Sequence, residues 1–420
     1  MSTDSVLARQ SLFVENGSVA RIVPDSLADY SGFLVIDAAG SFVLPGLADM
    51  HAHIFDRSDL PHYLSYGVTR VRNPMGLPAH LRWKRQLANG ELTGSRMTTA
   101  TPTLNAGADL DPFHKDLGGV ADIPGLLAGY QSSGYDFVKV YSGLSATQFA
   151  AVMEAARDLG MPVAGHPPID VPIETFLSSG AISFEHVEEI YNNYLDRTPD
   201  DSLAQAIVRK IRDSRIAVTP TLSAYHHIRR VAEEGDEFVR EYDKKPIGGA
   251  FNFIGRLLLR GYREPSEDRQ ARIVRKDEYH KKLVRMLHEA GVPLLMGTDF
   301  GPNLTIAGET LHDEMQLWVD AGVPAFDVVA AATRVPGRVL GQEARAGRIE
   351  VSQVADFILV RENPLLRIGA LRNPAGVFFD GRWFDEAALR ELREIGEDKT
   401  AWYFTMGILI HHVLVKSVGP

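Results

Sequence analysis

The chain has 420 residues, a formal charge of −10, 45% hydrophobic residues and no cysteine. That length suits one large barrel with a smaller module, and the apolar share is enough for a full core. The acidic balance argues against nucleic acid or an anionic membrane as partner, and the lack of cysteine rules out disulfides, thiol catalysis and thiolate ligands. The first residues, Met-Ser-Thr-Asp-Ser-Val-Leu-Ala-Arg, show no apolar secretory core, so the expected location is cytoplasmic.

Residues 11–44 carry short β-like runs, Ser-Leu-Phe-Val and Phe-Leu-Val-Ile-Asp, with turn signals at Asn16-Gly17 and Gly40. Then comes Leu-Ala-Asp-Met-His51-Ala-His53, in which a His-x-His pair on an extended segment directs both imidazoles to one side. Two such rings are half of a divalent-metal site, a weak signal unless other strand ends supply more ligands. They do so in order. Asp-Phe-Val-Lys139-Val-Tyr141 is a β-rich run carrying a lysine, while His166, His186 and Asp299 close the runs Met-Pro-Val-Ala-Gly-His, Ala-Ile-Ser-Phe-Glu-His and Val-Pro-Leu-Leu-Met-Gly-Thr-Asp. Amphipathic stretches such as Ser145 to Leu159 and Asp277 to Ala290 separate them, which indicates parallel βαβ units. Polar residues at the carboxyl ends of such strands are where a (β/α)8 barrel builds its site.

Thr-Pro-Thr-Leu222 reads as the seventh strand. The stretch from there to Asp299 is too long for a barrel connection and is charge-rich, with Arg229-Arg230, Glu233-Glu234 and Lys244-Lys245 beside Phe251 and Phe253. It reads as a helical insertion over the mouth (223–280), either a lid or added packing at the rim. Residues 347–384 return to the β style, with a hairpin signal at Asp380-Gly381. The last segment, 386–420, ends in an apolar run too short to cross a membrane, so docking on the body or on a second subunit is expected, and with it a homo-oligomer. His411 and His412 lie there without other ligand types around them and are not read as ligands.

The ordered set Pro-Gly-Leu-Ala-Asp-Met-His51-Ala-His53, Phe-Val-Lys139-Val-Tyr, Gly-His166-Pro-Pro, Phe-Glu-His186 and Gly-Thr-Asp299 resembles the amidohydrolase superfamily. The likeness is to its binuclear members near imidazolonepropionase and the metal-dependent prolidases. Leu-His312-Asp-Glu-Met, Ala-Ala-Thr333-Arg-Val-Pro-Gly and Val-Ala-Asp356-Phe-Ile-Leu-Val fit as well, so the resemblance runs from about Asn16 to Phe384. It implies an α/β fold: a (β/α)8 TIM-type barrel (45–344) with a small flanking β-sandwich formed by both chain ends (1–44 with 345–385). It also implies two divalent ions, most simply zinc. His51, His53 and Asp299 would bind the more buried ion, and His166 and His186 the outer one. Lys139 would bridge them after carbamylation by carbon dioxide. The implied reaction is hydrolysis of a peptide or N-acyl amino acid type amide by a metal-bridging hydroxide, with Asp299 passing the proton to the leaving nitrogen.

Substrate contacts are less determined by the sequence. Tyr141 shares the strand side of Lys139 and is read either as a carbonyl or carboxylate ligand or as core packing. Tyr225, His226, His227 and Arg229 follow the seventh strand, as substrate readers or as solvated rim, and His312 opens a helix after Asp299, facing the pocket or the helix surface. The family's aspartate after Val-Arg is replaced here, in Val71-Arg72-Asn73, which leaves that local role open. Two other classes compete with the amide hydrolase: a mononuclear deaminase of the same superfamily and a non-catalytic barrel. Resembling deaminases carry a glutamate three residues beyond the His166 position, where this chain has Ile169, and lack the bridging lysine. No ligand is missing, which speaks against the non-catalytic barrel. Lactones and carbamates suit the same chemistry.

Overall fold

The computed structural model describes residues 6–38, 40–107, 110, 112–243, 255–301, 303–342, 345–398 and 407. Eight parallel segments close into a ring. Leu47–Asp49 pairs with Val68–Asn73, which pairs with Arg96–Thr99, and an Ala100↔Phe137 bridge joins that strand to Val138–Val140. Val163–Gly165, Ser183–Glu185 and Ala217–Thr219 follow, each parallel to the one before. The ring is closed by the segment around Leu294–Met296, which bridges Val218 on one side and accepts Met50 N–H (2.8 Å) on the other. The protein is therefore a (β/α)8 barrel, and the expected seventh strand ends at Thr219, because Leu222 already begins a helix.

The strands are short runs rich in Val, Ala and Phe, buried on both faces as parallel barrel strands must be. Helix Ala146–Asp158 starts where expected, with Ser145 and Gln148 in a reciprocal capping box. The barrel interior and the helix shell share one apolar cluster that includes Val140, Phe149, Phe184, Leu283 and Trp318.

Outside the barrel, Phe42–Pro45 pairs antiparallel with Phe357–Val360, which continues into Gly376–Phe379 and Arg382–Asp385. The two ends of the chain thus meet in one sheet. The hairpin Gln10–Glu15/Ser18–Pro24 joins it through Ser18↔Val354. Both sequence-read hairpins have two consecutive left-handed residues at the turn, Asn16-Gly17 and Asp380-Gly381. The run Phe33–Asp37 is not a strand. Leu34 and Val35 are exposed there, so its apolar character reports no pairing.

The insertion is helical in its described parts, with helices Leu222–Glu234 and Asp236–Asp243 ahead of the long helix Glu267–Glu289. Val231, Phe238, Val239, Tyr242 and Leu259 form a second apolar cluster with Leu304 and Ile306, which ties the insertion to the loop after Asp299. Phe251 and Phe253, assigned to the rim, lie outside the described residues, as do His411 and His412. Among the described residues, no helix is long and apolar enough to cross a membrane.

Candidate metal centre

The six expected ligands gather at the carboxyl ends of the barrel strands. Asp299 Oδ1 lies 3.0 Å from His53 Nε2 and 3.4 Å from His51 Nε2, and donor atoms of these three residues all fall within 4.8 Å of one another. The His186 ring centre is 4.5 Å from both His51 and His166. Lys139 is buried in their midst, close enough for its charge to act on His51, His166 and His186.

Each of three rings is fixed through Nδ1. Glu185 Oε2 holds His51 at 2.7 Å, Thr221 Oγ1 holds His186 at 2.7 Å, and Glu189 Oε1 holds His166 at 3.0 Å. That leaves the three Nε2 atoms as the free donors of those rings, and a partner on the second nitrogen is what fixes the tautomer of a metal-binding histidine.

Backbone geometry explains how strand ends deliver these groups. Glu185 and His186 are adjacent, so alternation alone would send them to opposite faces. Glu185 points into the barrel, while His186 lies just beyond the strand in a left-handed conformation (φ 67°) that swings its ring over the mouth. Thr221 and Asp299 also have positive φ (both 54°), so strained non-glycine backbone clusters at this site. Gly297 lets the Asp299 segment close on its neighbours, since a Cβ there would stand 2.5 Å from Thr219 Cγ2.

Several positioning residues were not singled out by sequence. Arg72 is buried and donates to Met50 O (2.5 Å), Ser183 Oγ (2.8 Å) and Glu185 Oε1 (2.7 Å). It answers the question raised by Val71-Arg72-Asn73: the arginine is the residue coupled to the cluster, while Asn73 accepts Ile54 N–H and donates to Met75 O. Asp49 accepts the backbone N–H groups of His51 (3.1 Å) and Thr298 (3.2 Å), binding the two ligand segments together. In Leu-His-Asp-Glu, the residue joined to the site is Glu314. It accepts Leu222 N–H (2.9 Å) and Ser223 N–H (2.5 Å) and so anchors the helix start beside Thr221. Pairs of carboxylate and backbone N–H far apart in sequence carry no local signal; only the bare presence of Glu in Phe-Glu-His186 could have drawn notice.

The substrate residues divide. The Tyr141 ring lies 4.1 Å from that of His166, so it borders the cluster. Arg229 is engaged by Asp277 (2.9 Å), Glu233 (3.1 Å) and Glu278, and His226 also bonds Asp277 (3.2 Å), so both stitch the insertion helices together rather than facing the cluster. His227 bonds Asn303 O and Tyr242. His312 Nε2–H donates to Tyr66 O (3.1 Å) and the ring packs on that of Tyr66, with no contact to the cluster among the described residues. Tyr225 is buried beside His280 and Lys276.

Burial pushes His51 and His166 well below the usual histidine range, with the Lys139 charge adding to it, so both rings are neutral, the form that binds a cation. Burial would raise Asp299, but the His53 hydrogen bond and the neighbouring imidazoles outweigh it and keep the carboxylate ionised. His51 Nε2 and His53 Nδ1 are buried without a hydrogen-bond partner among the described residues. A neutral His51 ring with an orphaned Nε2, beside a neutral His166 and an ionised carboxylate, fits a divalent cation.

A closed barrel with such a cluster at its strand ends has the build of a barrel hydrolase. The chain belongs to the amidohydrolase family, whose model matches residues 142–384, and it acts as a hydrolase of carbon–nitrogen bonds. It is similar to imidazolonepropionase of Klebsiella pneumoniae (strain 342), 24% identical across 84% of this chain and 86% of that protein. Among solved structures it resembles bottromycin amidohydrolase, with a TM-score of 0.76, 26% identity and coverage of 94% of this chain and 87% of the other. A Xaa-Pro dipeptidase with bound methionine shares the fold at a TM-score of 0.69 and 21% identity, over 91% of this chain and 97% of its own.

Proposed function

We propose that the protein cleaves an amide of the peptide or N-acyl amino acid type at a centre for two divalent ions, most simply zinc. His51, His53 and Asp299 would hold one ion, His166 and His186 the other, and a carbamate on Lys139 would lie between them. Bound there, the ions would lower the pKa of water and polarise the scissile carbonyl. The observation that carries the reading is the convergence of His51 and His53 Nε2 on Asp299 Oδ1 while three other side chains hold the Nδ1 atoms of His51, His166 and His186.

The chain's own groups then divide the work. Asp299 keeps an exposed edge towards the opening, where its carboxylate can take a proton from the attacking water and return it to the departing nitrogen. Glu185, Thr221 and Glu189 hold the rings in one tautomer throughout. Burial lowers Lys139 from 10.5 to about 8, so near neutral pH about a tenth is free amine, far more than for an exposed lysine. Its lone pair can form the N–C bond to carbon dioxide, losing one proton to solvent. Tyr141 stands against His166, where its hydroxyl can meet a substrate carbonyl or carboxylate.

Ile169 is exposed and offers no proton-transfer group at the deaminase position, which favours amide cleavage over loss of ammonia. A small-molecule substrate is expected, and the apolar tail is assigned to a homo-oligomer contact. The test is a hydrolysis screen of N-acyl amino acids, dipeptides and lactones with zinc-reconstituted protein. Amide cleavage is expected; release of ammonia from aminated purines or pyrimidines with no amide cleavage would replace this reading with the deaminase.

A further inference from the structure

Beside the insertion lies a cavity of about 660 Å³ lined by Arg197, Arg269, Arg272, Arg275 and Lys276. Five cations on one cavity are unexpected in a chain of charge −10. Lys276 is paired with Glu188 (2.5 Å), but none of the four guanidinium groups has a carboxylate partner among the described residues. The contrast lies within one helix, Glu267–Glu289. In its second half Lys281, Lys282 and Arg285 are each paired with an acid, whereas Arg269, Arg272 and Arg275 stand three residues apart, exposed and without a carboxylate partner among the described residues. Like charges at that spacing repel, so the bare helix face is less stable than it would be with an anion on it.

The cavity also has an aromatic wall. Tyr191 and Tyr225 both line it, with the Lys276 ammonium 4.5 Å from the centre of the Tyr225 ring. Both tyrosines stand on segments that leave barrel strands at the centre described above, Tyr191 after Ser183–Glu185 and Tyr225 after Ala217–Thr219. Tyr191 is five residues beyond His186, and Tyr225 is about one helical turn beyond Thr221, which bonds His186. Planar forks on a partly apolar wall suit oxyanions, which they bind bidentately.

Resting on the amide-hydrolase reading, we propose that this cavity binds a multiply charged oxyanion group, carboxylate or phosphate, carried by the substrate at the end remote from the scissile amide. The protein would then act on acidic acyl-amino acids or acidic peptides in preference to neutral ones.

Titration calorimetry of the metal-loaded protein at low ionic strength, with glutarate and with inorganic phosphate as probes, tests this. At least one should bind, with affinity at least tenfold weaker in Arg272→Gln/Arg275→Gln and substantially retained in Arg272→Lys/Arg275→Lys, which controls for folding. The bound anion should inhibit hydrolysis competitively, and the Gln pair should raise KM for an acidic amide at least tenfold relative to its neutral counterpart. The stronger probe tells carboxylate from phosphate tails. Absence of binding, equal binding in the Gln pair, or non-competitive inhibition would overturn the proposal. If no amide is cleaved at all, the amide reading fails, and the calorimetry still decides whether the cavity binds anions.

Discussion

Replacing Arg72 by methionine isolates the support beneath the centre. The side chain is buried and joins four strands: its own, Met50 after Leu47–Asp49, Ser183 and Glu185, and Thr219 Oγ1 at 3.3 Å. Methionine fills much of the volume but leaves Glu185 as a buried carboxylate without its cation, a loss of about 3–5 kcal/mol. The pH dependence should change sign. Burial would raise the Glu185 carboxyl, but Arg72 and the His51 hydrogen bond outweigh it and hold it well below the usual range. A depressed carboxylate contributes stability above its unfolded pKa of about 4.3 and loses it as pH falls through the folded value. Without Arg72, burial wins, the folded pKa lies above the unfolded one, and the deficit of the variant grows as pH rises from about 5 to 8. A neutral Glu185 also holds His51 Nδ1 less firmly, so zinc should bind about 10–100-fold more weakly. Urea unfolding at both pH values, with coincident transitions from two probes, and zinc competition against a chelator measure these effects. A deficit under about 1 kcal/mol that is independent of pH, with zinc affinity unchanged, would refute the coupling of Arg72 to the centre.

Other outcomes follow from the same geometry. Lys139→Ala should lose bound metal and activity together, with partial rescue by short carboxylic acids; metal binding at the wild-type level would remove the lysine from the ligand set. Asp299→Asn should lower turnover by about 10²–10⁴-fold or more, since proton transfer and a metal donor are lost at once, as steady-state kinetics on the best amide would read. Glu314→Gln should weaken zinc binding through Thr221 and His186 while leaving helix content intact by circular dichroism, and an unchanged affinity would confine Glu314 to capping the helix. Arg229→Ala should lower the unfolding midpoint, because Asp277 loses a partner inside the insertion, and leave KM for carboxylate-bearing amides where it was; a selective rise in that KM would return Arg229 to the substrate site.

The gathering of His51, His53, Lys139, His166, His186 and Asp299 was legible because residue type and position coincide: a histidine, lysine or aspartate at the end of a short apolar run has a restricted number of roles. Both hairpins were legible for a similar reason, since Asn-Gly and Asp-Gly tolerate positive φ. What stayed hidden depends on contacts between distant parts of the chain. Arg72 and Glu185 form one pair across the barrel, and period-two alternation sends the adjacent Glu185 and His186 to opposite faces, whereas the positive φ of His186 brings its ring to the cluster that Glu185 also supports. Arg229 looked available because its main partner, Asp277, lies on another helix. In Leu-His312-Asp-Glu314 the histidine drew attention, yet its helix turns Glu314 towards Leu222 and Ser223 and His312 towards Tyr66. The run Phe33–Asp37 has strand composition without a partner strand, and pairing is a property of the sheet rather than of the segment.

The proposed two-ion centre of His51, His53, Lys139, His166, His186 and Asp299 is tested most directly by elemental analysis of chelator-free protein, repeated after reconstitution with zinc and bicarbonate. Two zinc ions per chain are predicted, falling to one or none in the His166→Ala/His186→Ala variant. One ion or fewer in the reconstituted wild-type protein would contradict the binuclear centre.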